Sequence, residues 1–166
     1  MYILKEANSL DDFDAFLALK SQKDAIKWSG FETAPDSVKF KQYYIDKILN
    51  NPKTHVFFLC DADMEGCPVV GYRQYDQVSE EVIEVRGTVI KKNYQGTDAL
   101  EALNSLLAKH YNEKGYKAFS AWISEKNKAS EYNSVRSGWT KTDEYEIRNL
   151  PLLGGEHKFY KWIKEF

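Results

Sequence analysis

The chain has 166 residues, the length of one globular domain, taken here as spanning 1–166. A domain of that size buries about 70% of the surface its unfolded chain exposes, so it needs no disulfide or metal staple. Its 43% hydrophobic and 29% charged residues exclude a disordered chain, and a net charge of −2 argues against a nucleic-acid binder, which carries a basic excess. Nine Phe, four Trp and eleven Tyr bring the aromatic content to 14%, more than a core of this size needs, so some of these rings are expected in a pocket.

In chain order, Met1–Ala7 alternates as a short strand. Ser9 and Asp12 have the spacing of a capping box before a helix whose face is Leu10, Phe13, Phe16, Leu17 and Lys20. Residues 21–34 read as a loop holding Trp28 and Phe31. Pro35 suits the first turn of a second helix with Val38, Tyr44, Ile45, Ile48 and Leu49 inward, stopped by Asn50-Asn51-Pro52. Strands follow at Thr54–Cys60, Val69–Tyr75 and Val82–Ile90, the first two joined as a hairpin. Within the first, Val56–Cys60 is the longest apolar run, far short of the ~20 residues of a membrane span. No basic-then-apolar leader opens the chain, and the only cysteines, Cys60 and Cys67, read as reduced thiols, so a cytoplasmic location is expected.

The longest helix runs over 97–112, with Leu100, Leu103, Leu106, Leu107, His110 and Tyr111 on its face and Gly115 as its left-handed cap. His110 reads as a packed histidine. A strand at Lys117–Ile123, a helix at Asn127–Ser137 ending on Gly138, and strands at Trp139–Ile147 and His157–Ile163 complete the chain. Lys158, Lys161 and Lys164 read as protection of an edge strand. The order β-α-α-β-β-β-α-β-α-β-β, with hairpins and one β-α-β crossover, implies an α+β fold around a mixed sheet. Asp61-Ala-Asp-Met-Glu-Gly66 opens like a calcium loop, but Tyr72 stands where calcium needs a glutamate, so no metal is expected.

Two stretches carry chemistry. Thr88–Leu100 takes a strand through Gln95-Gly96 directly into the long helix, whose first turn offers unpaired N–H groups and a partial positive charge to phosphates. Asn127 is followed by Ser130 three residues on, and by Gly138-Trp139 eleven and twelve on. With the element order, these motifs resemble the GCN5-related N-acetyltransferase superfamily over essentially the whole chain, in a style near the branch with ribosomal-protein N-terminal acetyltransferases. The resemblance implies a mostly antiparallel sheet of six or seven strands with about four helices, splayed between strands four and five.

It further implies acetyl transfer from acetyl-coenzyme A directly to an amine; from the charge, apolar runs and ligand spacing above, no metal and no membrane or nucleic-acid partner is expected. The backbone of Thr88 and Ile90 would pair with the pantetheine arm. The N–H groups of Gln95, Gly96, Thr97, Asp98, Ala99 and Leu100 would hold the pyrophosphate, and Asn127 the arm. Asp98 and Leu100 depart from the glycines and alanine usual in that loop. They leave open a non-catalytic binding module of the same fold. Ser134 stands where many relatives have the tyrosine that protonates the leaving thiol. Glu84 matches the position of a base in histone-acetylating relatives, and alternation would put it on one face with Arg86, Thr88 and Ile90. Trp28, Phe31 and Tyr72 are expected to line the site of a small-molecule amine, with Tyr43 and Tyr44 covering the same side and a protein N-terminus or lysine as the alternative acceptor. The chain is expected to be a monomer or a homodimer.

Overall fold

Period-2 and period-3.6 burial patterns set the architecture of the computed structural model, which describes residues 1–166. The elements are β1 (Tyr2–Glu6), α1 (Phe13–Lys20), α2 (Lys23–Ser29), α3 (Ser37–Tyr44), β2 (Thr54–Asp61), β3 (Val69–Gln77), β4 (Val82–Ile90), α4 (Ala99–Glu113), β5 (Ala118–Ser124), α5 (Lys128–Arg136), β6 (Thr140–Leu150) and β7 (Gly155–Glu165). One seven-stranded sheet has the order β1-β2-β3-β4-β5-β7-β6. Every pair is antiparallel except β4–β5, which α4 joins as the crossover that a parallel pair requires. No helix is long and apolar enough to cross a membrane.

The sheet is buried on both faces, which explains the unbroken run Val56–Cys60. Val56, Phe58 and Cys60 face α1 and α3 in a core with Phe16, Phe40, Tyr44 and Tyr72. Phe57 and Leu59 face α4 in a second core with Leu103, Leu107, Tyr75 and Phe119. Ala99, Leu103, Leu107 and Tyr111 form the buried stripe of α4 at intervals of four. Gly115 has φ +91°, as its capping role requires. Cys60 and Cys67 are free thiols.

Several expectations are corrected. Residues 23–29 form the fifth helix, α2, where a loop was expected. Ile26 is its buried residue, and Gly30 ends it at φ +83°. The second predicted helix starts at Ser37, because the Asp36 carboxylate caps it by accepting from the N–H groups of Val38 (3.1 Å) and Lys39 (2.9 Å), and Val38 in that first turn is exposed instead of inward, Phe40 and Tyr44 being the buried residues. Ser9 is the N-cap residue, but its hydroxyl makes no bond to the helix backbone and donates to Asp12 (3.5 Å), while the Asp12 carboxylate does return a bond to Ser9's amide. That carboxylate also accepts from the Asn8 N–H (3.3 Å) and pairs with Lys5 (2.8 Å). Lys158, Lys161 and Lys164 are not on an edge: β7 inserts between β5 and β6, so β6 and β1 are the edges.

Two irregularities shape the middle of the sheet. β4 pairs with β5 only from Val82 to Val85, opposite Ala118 to Ala121, and beyond that the strands part. On its other side β4 carries a bulge, since Tyr75 opposes Val85 while Gln74 opposes Gly87, leaving Arg86 as the extra residue. The bulge reverses the alternation. Val85 packs in the α4-side core and Val89 in the α1-side core, although four residues separate them. Glu84 therefore lies on the face opposite Thr88 and Ile90, not on their face.

His110 packs edge-on against Phe57 with ring centroids 4.8 Å apart, as expected of a packed histidine. Burial lowers its pKa below the ordinary 6.5, so the unfolded chain takes up a proton before the folded one does. Stability should then fall as the pH drops below about 6.5, with a slope of up to about 1.4 kcal/mol per pH unit for this one proton. Urea unfolding of wild type and His110→Phe across that window checks this. The variant should lose that component of the slope, and an identical slope in both proteins would refute it.

Candidate active site

The parting of β4 and β5 opens a cleft of about 630 Å³, walled by α2, β3, β4, β5, α5 and the loop into α4. Past Val85, the backbone groups of β4 that face β5 have no strand partner. Gly87 sits at this opening. A Cβ there would lie 3.6 Å from the Tyr72 hydroxyl and 3.9 Å from Lys20 Nζ. Burial raises the pKa of Tyr72, so its hydroxyl keeps its proton. Burial lowers the pKa of Lys20, whose ammonium stands 6.0 Å from the Tyr72 ring centroid. Thr88 points to the other face, where its hydroxyl accepts from Arg73 Nε at 2.8 Å.

The loop into α4 closes one end. Gly96 takes φ +75°, a turn that a side chain would strain. The amides of Gly96, Thr97, Asp98 and Leu100 have no acceptor within the chain, while the Ala99 amide bonds the Thr97 hydroxyl at 3.3 Å and the Gln95 amide, expected among the phosphate donors, is taken by the Lys92 carbonyl at 3.3 Å. Gln95 is a strap: its side-chain amide donates to Asp24 (2.7 Å) and to the Ile90 carbonyl (3.0 Å). Gln22 donates to the same carbonyl (3.1 Å) and accepts from the Lys92 N–H (3.2 Å), tying α2 to the loop. The Ile90 carbonyl is thus already taken. The carboxylate of Asp98 is exposed, accepts from the Tyr2 hydroxyl at 3.2 Å, and does not line the cleft, so it does not confront an anion held there. Leu100 does line it.

On the opposite wall Asn127 caps α5, its side-chain oxygen accepting from the Ser130 N–H at 3.2 Å. The three-residue spacing is thus an N-cap. It leaves the Asn127 side-chain NH2 without a protein acceptor at the cleft. Ser134, two turns further along α5, also lines the cleft.

The structure does not bring every predicted residue here. Glu84 is 7% exposed and does not line the cleft. One oxygen accepts from Trp122 Nε1 and the other pairs with Arg86, both at 2.8 Å. Phe31 is exposed and outside the cleft, because α2 ends at Gly30 before it, whereas Trp28 and Tyr72 line it. Tyr44 is fully buried in the α1-side core and Tyr43 half-exposed, so neither is a cleft ring. The pocket aromatics that sequence reasoning missed are Tyr94, Trp122, Trp139 and Phe159. Lys20 and Arg73 were missed too. Lys20 ends an apolar helical face, the one visible hint that it turns inward.

No protein-family model and no curated protein matches the sequence. Solved structures do. A ribosomal-protein-alanine N-acetyltransferase from Brucella melitensis is 20% identical, with 99% of each chain covered and a TM-score of 0.74. A spermidine N-acetyltransferase from Vibrio cholerae, solved in complex with CoA and spermine, is 11% identical over 99% of this chain and 95% of its own, with a TM-score of 0.81. With its seven-stranded, mostly antiparallel sheet, five helices and one parallel pair, the chain has the fold of the GCN5-related N-acetyltransferases.

Proposed function

We propose that the chain is an N-acetyltransferase that moves the acetyl group of acetyl-coenzyme A directly onto the primary amine of a small molecule. One observation carries this reading: the opening where β4 leaves β5 at Val85 is continuous with the unpartnered amides of Gly96, Thr97 and Leu100. The donor set fits the cofactor. Backbone N–H groups at the start of α4 suit a diphosphate, aided by the helix dipole. The free edge of β4 near Thr88 suits an amide-bearing arm that pairs like an added strand. The side-chain NH2 of Asn127 is a neutral donor facing it. Asp98, turned to Tyr2, removes the main support for a non-catalytic module. When bound, acetyl-coenzyme A supplies the activated acetyl group.

The residues of the chain then orient, polarise and exclude water. A free N–H of β4 near Thr88 is the donor placed to polarise the reacting carbonyl. Ser134 is assigned to hand a proton to the departing sulfur. Glu84 has both oxygens engaged outside the cleft, so we assign it a positioning role: it holds Arg86 and Trp122, which line the wall. The cover of the cleft by α2, with Trp28 inward, supports a small acceptor with apolar or ring-like character. The spermine complex of the Vibrio cholerae enzyme supports a small amine as well.

The test is a thermal-shift titration with acetyl-coenzyme A, followed by an amine screen with wild type and Glu84→Gln. At 100 times its Kd the ligand should stabilise by about 2.7 kcal/mol, or roughly 5–11 °C in a domain of this size. Absence of any shift at millimolar ligand would refute the proposal. With the best amine, Glu84→Gln should lower kcat/KM but keep the shape of its pH profile. Loss of the acidic limb would make Glu84 the base after all.

A further inference from the structure

The charges that line the cleft are unequal. Lys20, Arg73, Arg86 and Arg148 face it, against the single carboxylate of Asp24. Arg86 is neutralised by Asp76 and Glu84, at 2.8 Å each, and Arg148 by Glu146. Arg73 is buried and committed to the Thr88 hydroxyl. Lys20 differs from these three: its side chain is half-buried, and neither a carboxylate nor a hydrogen-bond acceptor of the chain partners its ammonium. Desolvating a charge without a partner is unfavourable, and a ligand that supplies the partner recovers that free energy.

The position of Lys20 says which ligand. Its Nζ approaches Gly87, two residues past the point where β4 leaves β5. The phosphate-binding loop begins beyond Ile90, about 10 Å further along the strand. Gly87 pairs with Gln74 on the α1 face of the sheet, so Lys20 stands at the reacting end of the cleft, away from the diphosphate. Asp24, the one carboxylate present, already accepts from Gln95 (2.7 Å) and Gln22 (3.4 Å). Those donors are neutral, so Asp24 keeps its charge, but a polycationic acceptor finds only this one carboxylate in the cleft and meets Lys20 unpaired.

We infer that the acceptor is an amine that also carries an anionic group, a carboxylate or a phosphate, within a few bonds of the reacting nitrogen, and that Lys20 binds that group. This rests on the acetyltransferase reading above.

Two matched pairs of amines test it, with spermidine as the polycation: L-phenylalanine against phenethylamine, and O-phosphoethanolamine against ethanolamine. The anionic member of at least one pair should have a kcat/KM about tenfold or more above its partner and above spermidine. Which pair responds distinguishes carboxylate from phosphate. Lys20→Met should erase that ratio, and Lys20→Arg should retain it. Faster acetylation of phenethylamine, ethanolamine or spermidine overturns the inference, as does an equal loss for both members of a pair in Lys20→Met. If wild type acetylates none of the five, calorimetry on CoA-saturated protein decides: failure of both anionic amines to bind at millimolar concentration overturns it. Failure of the underlying reading looks different, because acetyl-coenzyme A itself then does not bind, and the inference falls with it.

Discussion

Gly87→Val is expected to lower kcat/KM for the best amine by about 100-fold or more while leaving the fold intact, because a displacement of about 1 Å at a reacting centre has that effect. Gly87 is not a glycine for reasons of backbone conformation, since it is absent from the seven glycines with positive φ. It is a glycine for space. A bare Cβ would meet the Tyr72 hydroxyl at 3.6 Å and Lys20 Nζ at 3.9 Å, both ordinary contacts, so Gly87→Ala should be tolerated with a much smaller loss. The two γ-methyls of valine reach further into the same gap, where the acetyl group and the amine have to meet. Valine also favours a strand backbone, so thermal unfolding of the variant should stay near that of wild type. The check is steady-state kinetics on all three proteins, with acetyl-coenzyme A affinity measured in parallel. A valine variant of near-normal activity would place the reaction elsewhere in the cleft.

Little in the sequence around Gly87 announces this. The stretch Thr88–Leu100 and the spacing of Asn127, Ser130 and Gly138 were readable because each is a local property of a strand-to-helix turn or a helix cap. The two cores were readable for the same reason, since periodicity is local. What escaped depends on how strands meet. A bulge at Arg86 is a relation between β3 and β4, so the expected alternation placed Glu84 on the wrong face. The insertion of β7 between β5 and β6 is a matter of strand order, and it turned three supposed edge lysines into residues of an interior strand. The same insertion placed Phe159 in the cleft, and β5, beside β4, placed Trp122 there. Asp98 looked hostile to a diphosphate because its partner, Tyr2, lies 96 residues away. The aromatic excess likewise divides in a way that composition does not show: most rings fill two cores, and only six of them line the cleft.

Phe16→Ala should be the most destabilising single change in the α1-side core, at about 3–5 kcal/mol. Phe16 is fully buried, stacked on Phe40 with centroids 5.4 Å apart and edge-on to Tyr72 at 4.9 Å, with Tyr44 at 5.7 Å. Removing it leaves a cavity lined by rings that are themselves fixed between α3 and the sheet, so collapse is poor and the penalty large. Against a total stability of about 5–15 kcal/mol this is a major loss. It should lower the melting temperature by roughly 6–20 °C. Phe16→Leu keeps most of the volume and should cost about 1.5 kcal/mol or less. Urea unfolding of the three proteins measures this, and a loss below about 1 kcal/mol for the alanine variant would mean that the ring is not packed as described. The effect should extend to the cleft. Phe16 precedes Lys20 by one helical turn on the same face of α1, and it supports the ring of Tyr72 from below. Loosening it should raise the KM for the amine more than it changes acetyl-coenzyme A affinity. Gly87→Val fills the cleft without touching stability, and Phe16→Ala empties the core beneath it, so the pair separates a site that is blocked from one that has lost its support.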